Sequence, residues 1–205
     1  MRRKGIPDET VGRLFVYLRA LLCLAEKGVE TVSSSRLAQA CHLKASMIRK
    51  DFSYFGEFGT RGVGYNVGQL IAQIRRTLNL AKTVKAALVG TGNIGRALLS
   101  YPGFEKEGFR IAACFDSDRN KIGRKLNGIR VEDIARLERR IKAKGIRLGI
   151  VAVPVSEAPD VARRLAAAGV KAILSFAPCN LNMPRGVRVT CVDLATEMAR
   201  LVYYL

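Results

Sequence analysis

Apolar residues recur every three or four positions along the start of the chain. They lie between Asp8, a candidate helix cap, and Gly28, a candidate stop, at positions Val11, Leu14, Phe15, Leu18, Leu21 and Leu22. This spacing predicts one long amphipathic helix.

A second pattern of shorter elements follows. Serines at 33–35 offer a helix cap, residues 42–44 interrupt the periodicity, and a new helix begins at Ala45. Two short helices around a tight break predict a helix-turn-helix within about residues 17–56. Helical periodicity resumes over residues 66–80, after a glycine-rich stretch.

From Lys85 onward, β-rich runs alternate with amphipathic helical segments. The runs are KAALVG, RIAACFD, RLGIVAVP, VKAILSFA and VRVTCVD, and the helical segments include VEDIARLERRIKAKG and APDVARRLAAAG. Such alternation predicts an α/β domain with a parallel, doubly wound sheet. We therefore divide the chain into domains at residues 1–83 and 84–190. Residues 191–205 form a final amphipathic helix whose apolar end requires a partner surface.

The charge balance narrows the class of partner. Thirty-five Lys and Arg residues against seventeen Asp and Glu residues give a formal net charge of +18, which favours polyanions such as nucleic acid or an anionic membrane. No apolar run approaches the roughly 20 residues of a membrane helix, and no secretory signal is present, so we expect a cytoplasmic protein without a membrane partner. The five cysteines are scattered without a CxxC pair, and His42 is the only histidine. These counts favour reduced thiols and argue against a metal site.

A nucleotide-binding motif follows the first strand of the second domain. Gly90, Thr91, Gly92, Asn93, Ile94 and Gly95 form a GxGxxG sequence between a predicted strand and a predicted helix. In that context the glycines let the backbone approach a pyrophosphate at the helix N-terminus. Asp116 ends the next strand, where a carboxylate can accept hydrogen bonds from the adenosine ribose, and it favours NAD(H) over NADP(H). A ligand-free tight turn, or another cofactor such as CoA or S-adenosylmethionine, remains open.

The second helix of the predicted helix-turn-helix carries residues suited to DNA. Arg49 can hydrogen-bond a guanine through two parallel bonds, whereas Lys44, Lys50 and Ser53 suit phosphate oxygens, and Ser46 lies beside them. The alternative is an exposed basic face in a helical dimerisation domain.

The glycine-rich stretch that follows this helix predicts a β-hairpin wing. Phe58, Val63 and Tyr65 flank a turn that holds glycines and Arg61. An arginine at the tip suits the negative potential of a narrow minor groove. A P-loop is excluded because the GxxxxGK[ST] pattern is missing.

These motifs together resemble the Rex family of redox-sensing transcriptional repressors, in order along essentially the whole chain. The matching stretches are RKDFSYFG from Arg49, GTRGVGY from Gly59, Gly90 to Gly95, YPGF from Tyr101, Phe115-Asp116, Ala152-Val153-Pro154, Phe176-Ala177-Pro178 and Val192-Asp193-Leu194. The resemblance implies a homodimer with an N-terminal winged helix-turn-helix domain, a Rossmann-like domain for NAD(H) and a C-terminal helix exchanged between subunits. It also implies a repressor that binds palindromic, inverted-repeat operators and leaves them when NADH binds.

The resemblance also extends the set of site residues. It adds Val153, Pro154, Phe176, Ala177, Pro178 and Tyr101 to the NAD(H) site, and Tyr54, Thr60, Arg61 and Gly62 to the DNA-binding residues. It implies a redox switch formed by Arg19, Tyr101 and Asp193. Leu194 stands where a family member carries an aromatic residue, so Phe176 is the alternative contact for the nicotinamide.

Two other functions compete with this interpretation. The first is a small NAD-dependent oxidoreductase with a basic oligomerisation domain, which lacks a substrate domain and a well-placed general base or acid. The second is a CoA-binding regulator on a similar scaffold, which Asp116 disfavours. We predict a regulator without catalytic residues.

Overall fold

The chain divides into two compact units, Met1–Lys82 and Thr83–Leu205. The structure is a computed structural model that describes residues 6–56 and 63–205. The elements of the first unit, in chain order, are α1 (Asp8–Glu26), β1 (Thr31–Val32), α2 (Ser34–Cys41), α3 (Ala45–Ser53), β2 (Tyr65–Asn66) and α4 (Val67–Thr77).

Local capping explains where the helices of the first unit begin and end. The side chain of Ser33 accepts a hydrogen bond from the Arg36 N–H at the start of α2, and His42 ends that helix in the left-handed conformation, with φ of 53°. The predicted cap at Asp8 is wrong by one position, because Pro7 is the N-cap and Asp8 is the first helical residue. An acidic residue there still interacts favourably with the positive end of the helix.

Apolar side chains of α1, α3 and α4 form the core of the first unit. Leu14, Leu21, Ile48 and Ile74 are fully buried. Met47 of α3, by contrast, is 36% exposed. The strands β1 and β2 pair antiparallel beside these helices, with Val32 opposite Tyr65.

The second unit contains a seven-stranded sheet with helices on both faces. Its strands are β3 (Val84–Val89), β4 (Phe109–Asp116), β5 (Lys125–Leu126), β6 (Ile129–Asp133), β7 (Leu148–Val151), β8 (Ala172–Ser175) and β9 (Arg188–Cys191). Its helices are α5 (Asn93–Leu99), α6 (Gly103–Lys106), α7 (Leu137–Lys144), α8 (Ala158–Ala167) and α9 (Leu194–Val202), with a 3-10 turn at Ile134–Arg136.

The order of the strands confirms the predicted doubly wound topology. They lie in the sequence β5-β6-β4-β3-β7-β8-β9, and every neighbouring pair except β5–β6 is parallel. The order therefore reverses between β3 and β7, beside the strand that leads into Gly90. Open α/β sheets bind their ligands at such a point, outside the carboxyl ends of the strands.

Two apolar layers enclose the sheet. Phe115 and Leu165 belong to the larger core on the side of α7 and α8, whereas Leu88 and Leu99 belong to the smaller core on the side of α5. Alternate residues of β3 thus point to opposite layers, as the period of two in a strand requires. In β4 a register shift opposite Ala86 and Ala87 places both Ala112 and Ala113 against the larger core.

The hairpin of β5 and β6 was not predicted. The first residues of VEDIARLERRIKAKG, assigned to a helix from their periodicity, instead finish strand β6, and α7 begins only at Leu137. Asn127 and Gly128 form the turn with positive φ values of 46° and 78°. An Asn-Gly pair between short β-rich runs is typical of this turn type, so the sequence does indicate the hairpin.

Candidate functional site

Close backbone approach explains two of the three glycines of the loop after β3, Gly90 and Gly95. A methyl group on Gly90, whose φ is 93°, would overlap the carbonyl oxygen of Ala152, and one on Gly95 would overlap the carbonyl oxygen of Gly90. Gly92 differs, because a methyl group there would meet no atom within 4 Å. The outer turn of the loop is thus open, as an approaching pyrophosphate requires.

Thr91, between these glycines, is tied to the next strand. The backbone N–H of Thr91 donates to Asp116 Oδ2 at 2.8 Å and its hydroxyl donates to the same oxygen at 2.6 Å. Both residues are buried. Thr91 therefore turns away from the ligand side of the loop and fixes the loop to the end of β4.

Asp116 lies at the carboxyl end of β4, beside the glycine loop. Besides Thr91, it accepts hydrogen bonds from the Asp118 N–H at 3.0 Å and from Lys121 Nζ at 3.3 Å. Burial opposes ionisation, but these donors together hold the pKa of Asp116 below its ordinary value. The sequence predicted only a ribose acceptor here, and the structure adds an internal role that shapes the loop.

The other predicted cofactor residues follow the carboxyl ends of β7 and β8. Val153 lies against Gly90, and Ala177 is buried in the turn after β8. The fully buried hydroxyl of Ser175 accepts from the Ala177 N–H at 3.2 Å and donates to the Ala177 carbonyl at 3.3 Å. It thereby fixes the backbone of the Phe176-Ala177-Pro178 turn.

Tyr101 lies away from the glycine loop of its own chain. It follows α5, which begins at the loop. At the end of α5, the Leu99 carbonyl accepts a hydrogen bond from Asn127 Nδ2 at 2.6 Å, and Asn127 lies just before β6. That position is the amino-terminal edge of the sheet. The ring of Tyr101 is 53% exposed and packs edge-on against Phe104.

The remaining switch residues belong to different units. Arg19 is exposed on α1 of the first unit. Asp193 caps α9 in the second unit, accepting from the Ala195 and Thr196 N–H groups and from the Thr196 hydroxyl at 2.7 Å. The Thr196 hydroxyl holds the pKa of the Asp193 carboxyl below its ordinary value.

The predicted DNA-reading residues occupy one helix. Lys44, Ser46, Arg49, Lys50 and Ser53 are exposed in or just before α3, and Tyr54 follows it half-buried. Arg49 donates to the hydroxyl of Ser34 at 3.0 Å, which holds its guanidinium at the start of α2. Ser53 donates to the Lys50 carbonyl at 2.7 Å, so a phosphate would have to replace that bond.

An acidic residue inside α3 links this helix to α1. Asp51 is 1% exposed and accepts two parallel hydrogen bonds from Arg13, at 2.6 and 2.7 Å. The Tyr17 hydroxyl donates to it at 2.6 Å and the Thr10 hydroxyl at 3.2 Å. Burial opposes ionisation, but these bonds hold the pKa of Asp51 below its ordinary value. The four residues (Thr10, Arg13, Tyr17 and Asp51), which we call the Asp51 network, fix the orientation of α3.

The predicted wing lies mostly outside the described residues, including Thr60, Arg61 and Gly62. The described part begins at Val63, and Gly64, directly before β2, has a φ of 96° and approaches the Val32 carbonyl so closely that a methyl group would lie 2.7 Å from its oxygen. Sequence and sheet pairing therefore agree that a glycine is needed at this return to β1.

Two other classes of site are absent from the residues that the structure describes. Within residues 6–56 and 63–205, no helix is long and apolar enough to cross a membrane. The same residues contain no cluster of three or more potential metal ligands from His, Cys, Asp and Glu. The thiol of Cys114 is buried, and burial raises its pKa to about 11.

Comparison with known proteins decides the family. The chain is 47% identical over 203 residues to the "Redox-sensing transcriptional repressor Rex" of Streptomyces coelicolor, with 99% of this chain and 79% of the relative covered. It is equally similar to the protein of that name from Carboxydothermus hydrogenoformans, which is covered over 98% of its length. The chain belongs to the Rex family.

Solved structures of a Rex-family repressor called RSP match the whole fold. Its complex with β-NAD+ and operator DNA has a TM-score of 0.91 at 34% identity, covering 98% of this chain and 93% of that one. Its complex with β-NADH has a TM-score of 0.86 at 33% identity, with coverages of 98% and 95%. The Rex fold predicted from the motifs is confirmed.

Two family models match separate parts of this Rex chain. Residues 5–53 match a model described as "Putative DNA-binding protein N-terminus". Residues 81–179 match a model described as "CoA binding domain". The second match covers the sheet from β3 to the turn after β8, including the glycine loop.

Proposed function

We propose that this Rex-family chain is a DNA-binding transcriptional repressor that senses the NADH/NAD+ ratio. It binds palindromic operators when NADH is scarce and leaves them when NADH binds. The observation that carries the proposal is the similarity, over 98% of the chain, to a repressor solved with NAD+ and operator DNA and also with NADH. A regulator of this kind catalyses no reaction and acts in the cytoplasm.

NAD(H) is the proposed cofactor. Its pyrophosphate fits the open side of Gly92, and the loop of Gly90 to Gly95 with Val153, Pro154, Phe176, Ala177 and Pro178 supplies the rest of the site. Asp116 holds the loop through Thr91 and directs its remaining acceptor capacity to the adenosine ribose. When bound, the cofactor supplies a nicotinamide ring that is cationic when oxidised and neutral when reduced.

The DNA contacts come from α3 and from the wing. Arg49 is the proposed base-reading residue, while Lys44 and Lys50 bind phosphates and Ser46, Ser53 and Tyr54 line the same surface. Arg61, with Thr60 and Gly62, is proposed for the minor groove. The Asp51 network positions α3 without touching DNA.

A homodimer completes the proposed molecule. Residues 1–83 bind DNA, residues 84–190 bind the nucleotide, and residues 191–205 pack on the partner subunit. Helix α9 supports this division because its large apolar side chains are exposed, with Met198 at 68% and Leu201 at 70%. Two α3 helices related by twofold symmetry then read the two halves of an inverted repeat.

Charge at the nicotinamide provides the proposed switch. Asp193 is a carboxylate with a lowered pKa, so it is ionised at neutral pH and distinguishes a cationic from a neutral ring. We propose that Arg19 pairs with it in one redox state only, with Tyr101 supplied by the partner subunit. Such a pairing biases the equilibrium between DNA-binding and released states.

Operator titration tests this function. Fluorescence anisotropy of the full chain on a palindromic operator, with NADH, NAD+ or CoA added, should show release by NADH and retention with NAD+. Equal effects of NADH and NAD+ would contradict redox sensing, and release by CoA alone would favour the ligand named by the second family model.

An Arg49→Ala variant tests the base contact in the same assay. It should weaken operator binding by about 1–3 kcal/mol and relax base preference at one position of each half-site. Lys50→Ala is the matched control, expected to weaken all sequences alike. Unchanged operator affinity in Arg49→Ala would remove Arg49 from the reading surface.

A further inference from the structure

Four basic side chains stand side by side at the amino-terminal edge of the sheet. Arg110 of β4 pairs in register with Lys85 of β3. Arg147 and Lys171 each come one residue before the paired residues Leu148 and Ala172, which continue the same level across β7 and β8. The Lys171 N–H donates to the Arg147 carbonyl at 2.9 Å, which fixes that last step. We call Arg110, Lys85, Arg147 and Lys171 the basic row.

The two members of the basic row that lie within strands, Lys85 and Arg110, point to one face of the sheet. Ala86, which follows Lys85, belongs to the core on the side of α5, so Lys85 faces the side of α7 and α8. Arg110 pairs with Lys85 and shares its face, Arg147 and Lys171 come directly before β7 and β8 at the same level, and all four residues are exposed. Adjacent strands lie about 4.8 Å apart, so the row spans about 14 Å. Arg188 of β9 pairs with Ala172 and therefore lies on the opposite face.

Like charges at this spacing repel one another, so the row costs stability in the free protein. No ion pair or side-chain hydrogen bond is recorded for these four residues within the described part of the chain. Lys142 and Lys144 on the last turn of α7 add two further cations at this edge. The acidic residue nearest in sequence to any member of the basic row is Glu107, which precedes β4. The local excess of positive charge is therefore large.

We propose that the basic row binds the phosphate backbone of double-stranded DNA, as a contact separate from α3 and the wing. Duplex DNA carries about one negative charge per 1.7 Å of its axis, so a row of about 14 Å faces several phosphates. This inference rests on the proposed function, which brings a DNA duplex to the same protein. The contact is with phosphates only and adds affinity without sequence preference.

Salt dependence of DNA binding tests the basic row. The full chain carrying Lys85→Gln, Arg110→Gln, Arg147→Gln and Lys171→Gln is titrated at several salt concentrations. One duplex contains the operator and extends beyond it by a helical turn on each side, and a second lacks the operator. Each lost phosphate contact should reduce the slope of log K against log salt by about 0.9, so the variant should lose roughly 2–4 in slope on both duplexes.

The matched control removes four exposed cations elsewhere in the second unit, through Arg124→Gln, Lys125→Gln, Arg130→Gln and Arg139→Gln. The slope of log K against log salt for this control should differ from that of the wild type by no more than the value for one phosphate contact. An unchanged slope in the row variant would overturn the proposal, and so would an equal loss in both variants, because net charge alone would then explain the effect.

Two further measurements separate this inference from the proposed function. If the wild-type protein did not prefer the operator duplex, the proposed repressor function would be contradicted. Binding to the duplex without the operator would still test the basic row. Binding to vesicles that contain phosphatidylserine tests a membrane as the partner, and loss of vesicle binding with unchanged DNA slopes would also overturn the proposal. Both variants should bind NADH as the wild type does, which shows that the sheet is intact.

Discussion

Among residues 6–56 and 63–205, each unit contains one buried carboxylate, and the two carboxylates are neutralised in different ways. Asp51 in the helical unit accepts a bidentate pair from Arg13 and bonds from two hydroxyls. Asp116 in the sheet unit accepts mainly from Thr91 and from a backbone N–H, with Lys121 partly exposed at 3.3 Å. The charge of Asp51 is balanced by the full positive charge of Arg13, whereas that of Asp116 is balanced mainly by hydroxyl and backbone N–H dipoles.

The difference follows from what each acid holds. Asp51 joins α3 to α1, two helices without backbone hydrogen bonds between them, so a strong directional pair fixes their angle. Asp116 fixes a loop that the parallel ladder already places, so backbone and hydroxyl donors suffice. We therefore expect the proposed DNA-reading surface of α3 to depend more on a single side chain than the proposed nucleotide loop does.

The largest expected effect is that of Asp51→Asn. It leaves Arg13 without a charged partner, and breaking a buried pair costs about 3–5 kcal/mol; because the Arg13 side chain is 27% exposed, we expect the lower end of that range. Hydrogen exchange of the α3 amides measures the loss, with the exposed Glu9→Gln as the control. Protection equal to that of the control would show that packing alone fixes α3.

Asp116→Asn should have a smaller effect. The amide keeps one acceptor but presents an N–H group to the donors of Thr91 or Asp118, which costs about 1–3 kcal/mol. Denaturant unfolding and NADH titration measure it, with Asp118→Asn as the control in the same turn. A loss larger than that of Asp51→Asn would reverse the comparison between the two units.

Thr91→Val isolates one bond of the Asp116 site. It removes the 2.6 Å hydroxyl contact and keeps the backbone N–H and the side-chain shape. We expect a loss of about 1 kcal/mol in unfolding free energy, with weaker NADH binding because the loop is held less firmly. Thr196→Val, at the cap of α9, serves as the control for loss of a hydroxyl bond to an exposed aspartate. Unaltered stability in Thr91→Val would show that the glycines alone, without the Thr91 hydroxyl bond, determine the geometry of the loop.

The smallest effect is expected from mild acid. Both carboxylates have pKa values below those in the unfolded chain, so their contribution is complete above the unfolded value and is lost as pH falls through the folded values. At pH 4, the contribution of each carboxylate to the unfolding free energy should be lower than at pH 7 by at most about 0.3 kcal/mol. Unfolding free energies of the wild type and of both Asn variants, measured from pH 7 to pH 3, should converge at low pH. Parallel curves would show that the two acids do not titrate with unfolding.

Much of this architecture was predictable because its signals are local. Periodicity located α1, the two short helices and α4, and the β-rich runs located β3, β4, β7, β8 and β9. The GxGxxG loop and Asp116 lie at the carboxyl edge of the sheet, as a parallel sheet requires. These features depend on neighbours in sequence or on the topology of the whole sheet.

The Asp51 network and the loop role of Asp116 were not predicted. Their partners lie 34 to 41 and 25 residues apart in the chain, and a single sequence does not show which buried acid meets which donor. The basic row likewise appears only when strand register aligns residues from four separate runs. The β5–β6 hairpin was missed for a different reason, because helical periodicity was given more weight than the Asn-Gly turn.

The exposed apolar end of α9 links stability to concentration. Tyr203 and Tyr204 are more than 80% exposed in a single chain. In the proposed dimer they are covered by a second copy, so their burial enters the unfolding equilibrium through mass action. The unfolding midpoint of this protein then rises with its own concentration, and the cell sets the stability of the sensor partly by how many copies it makes.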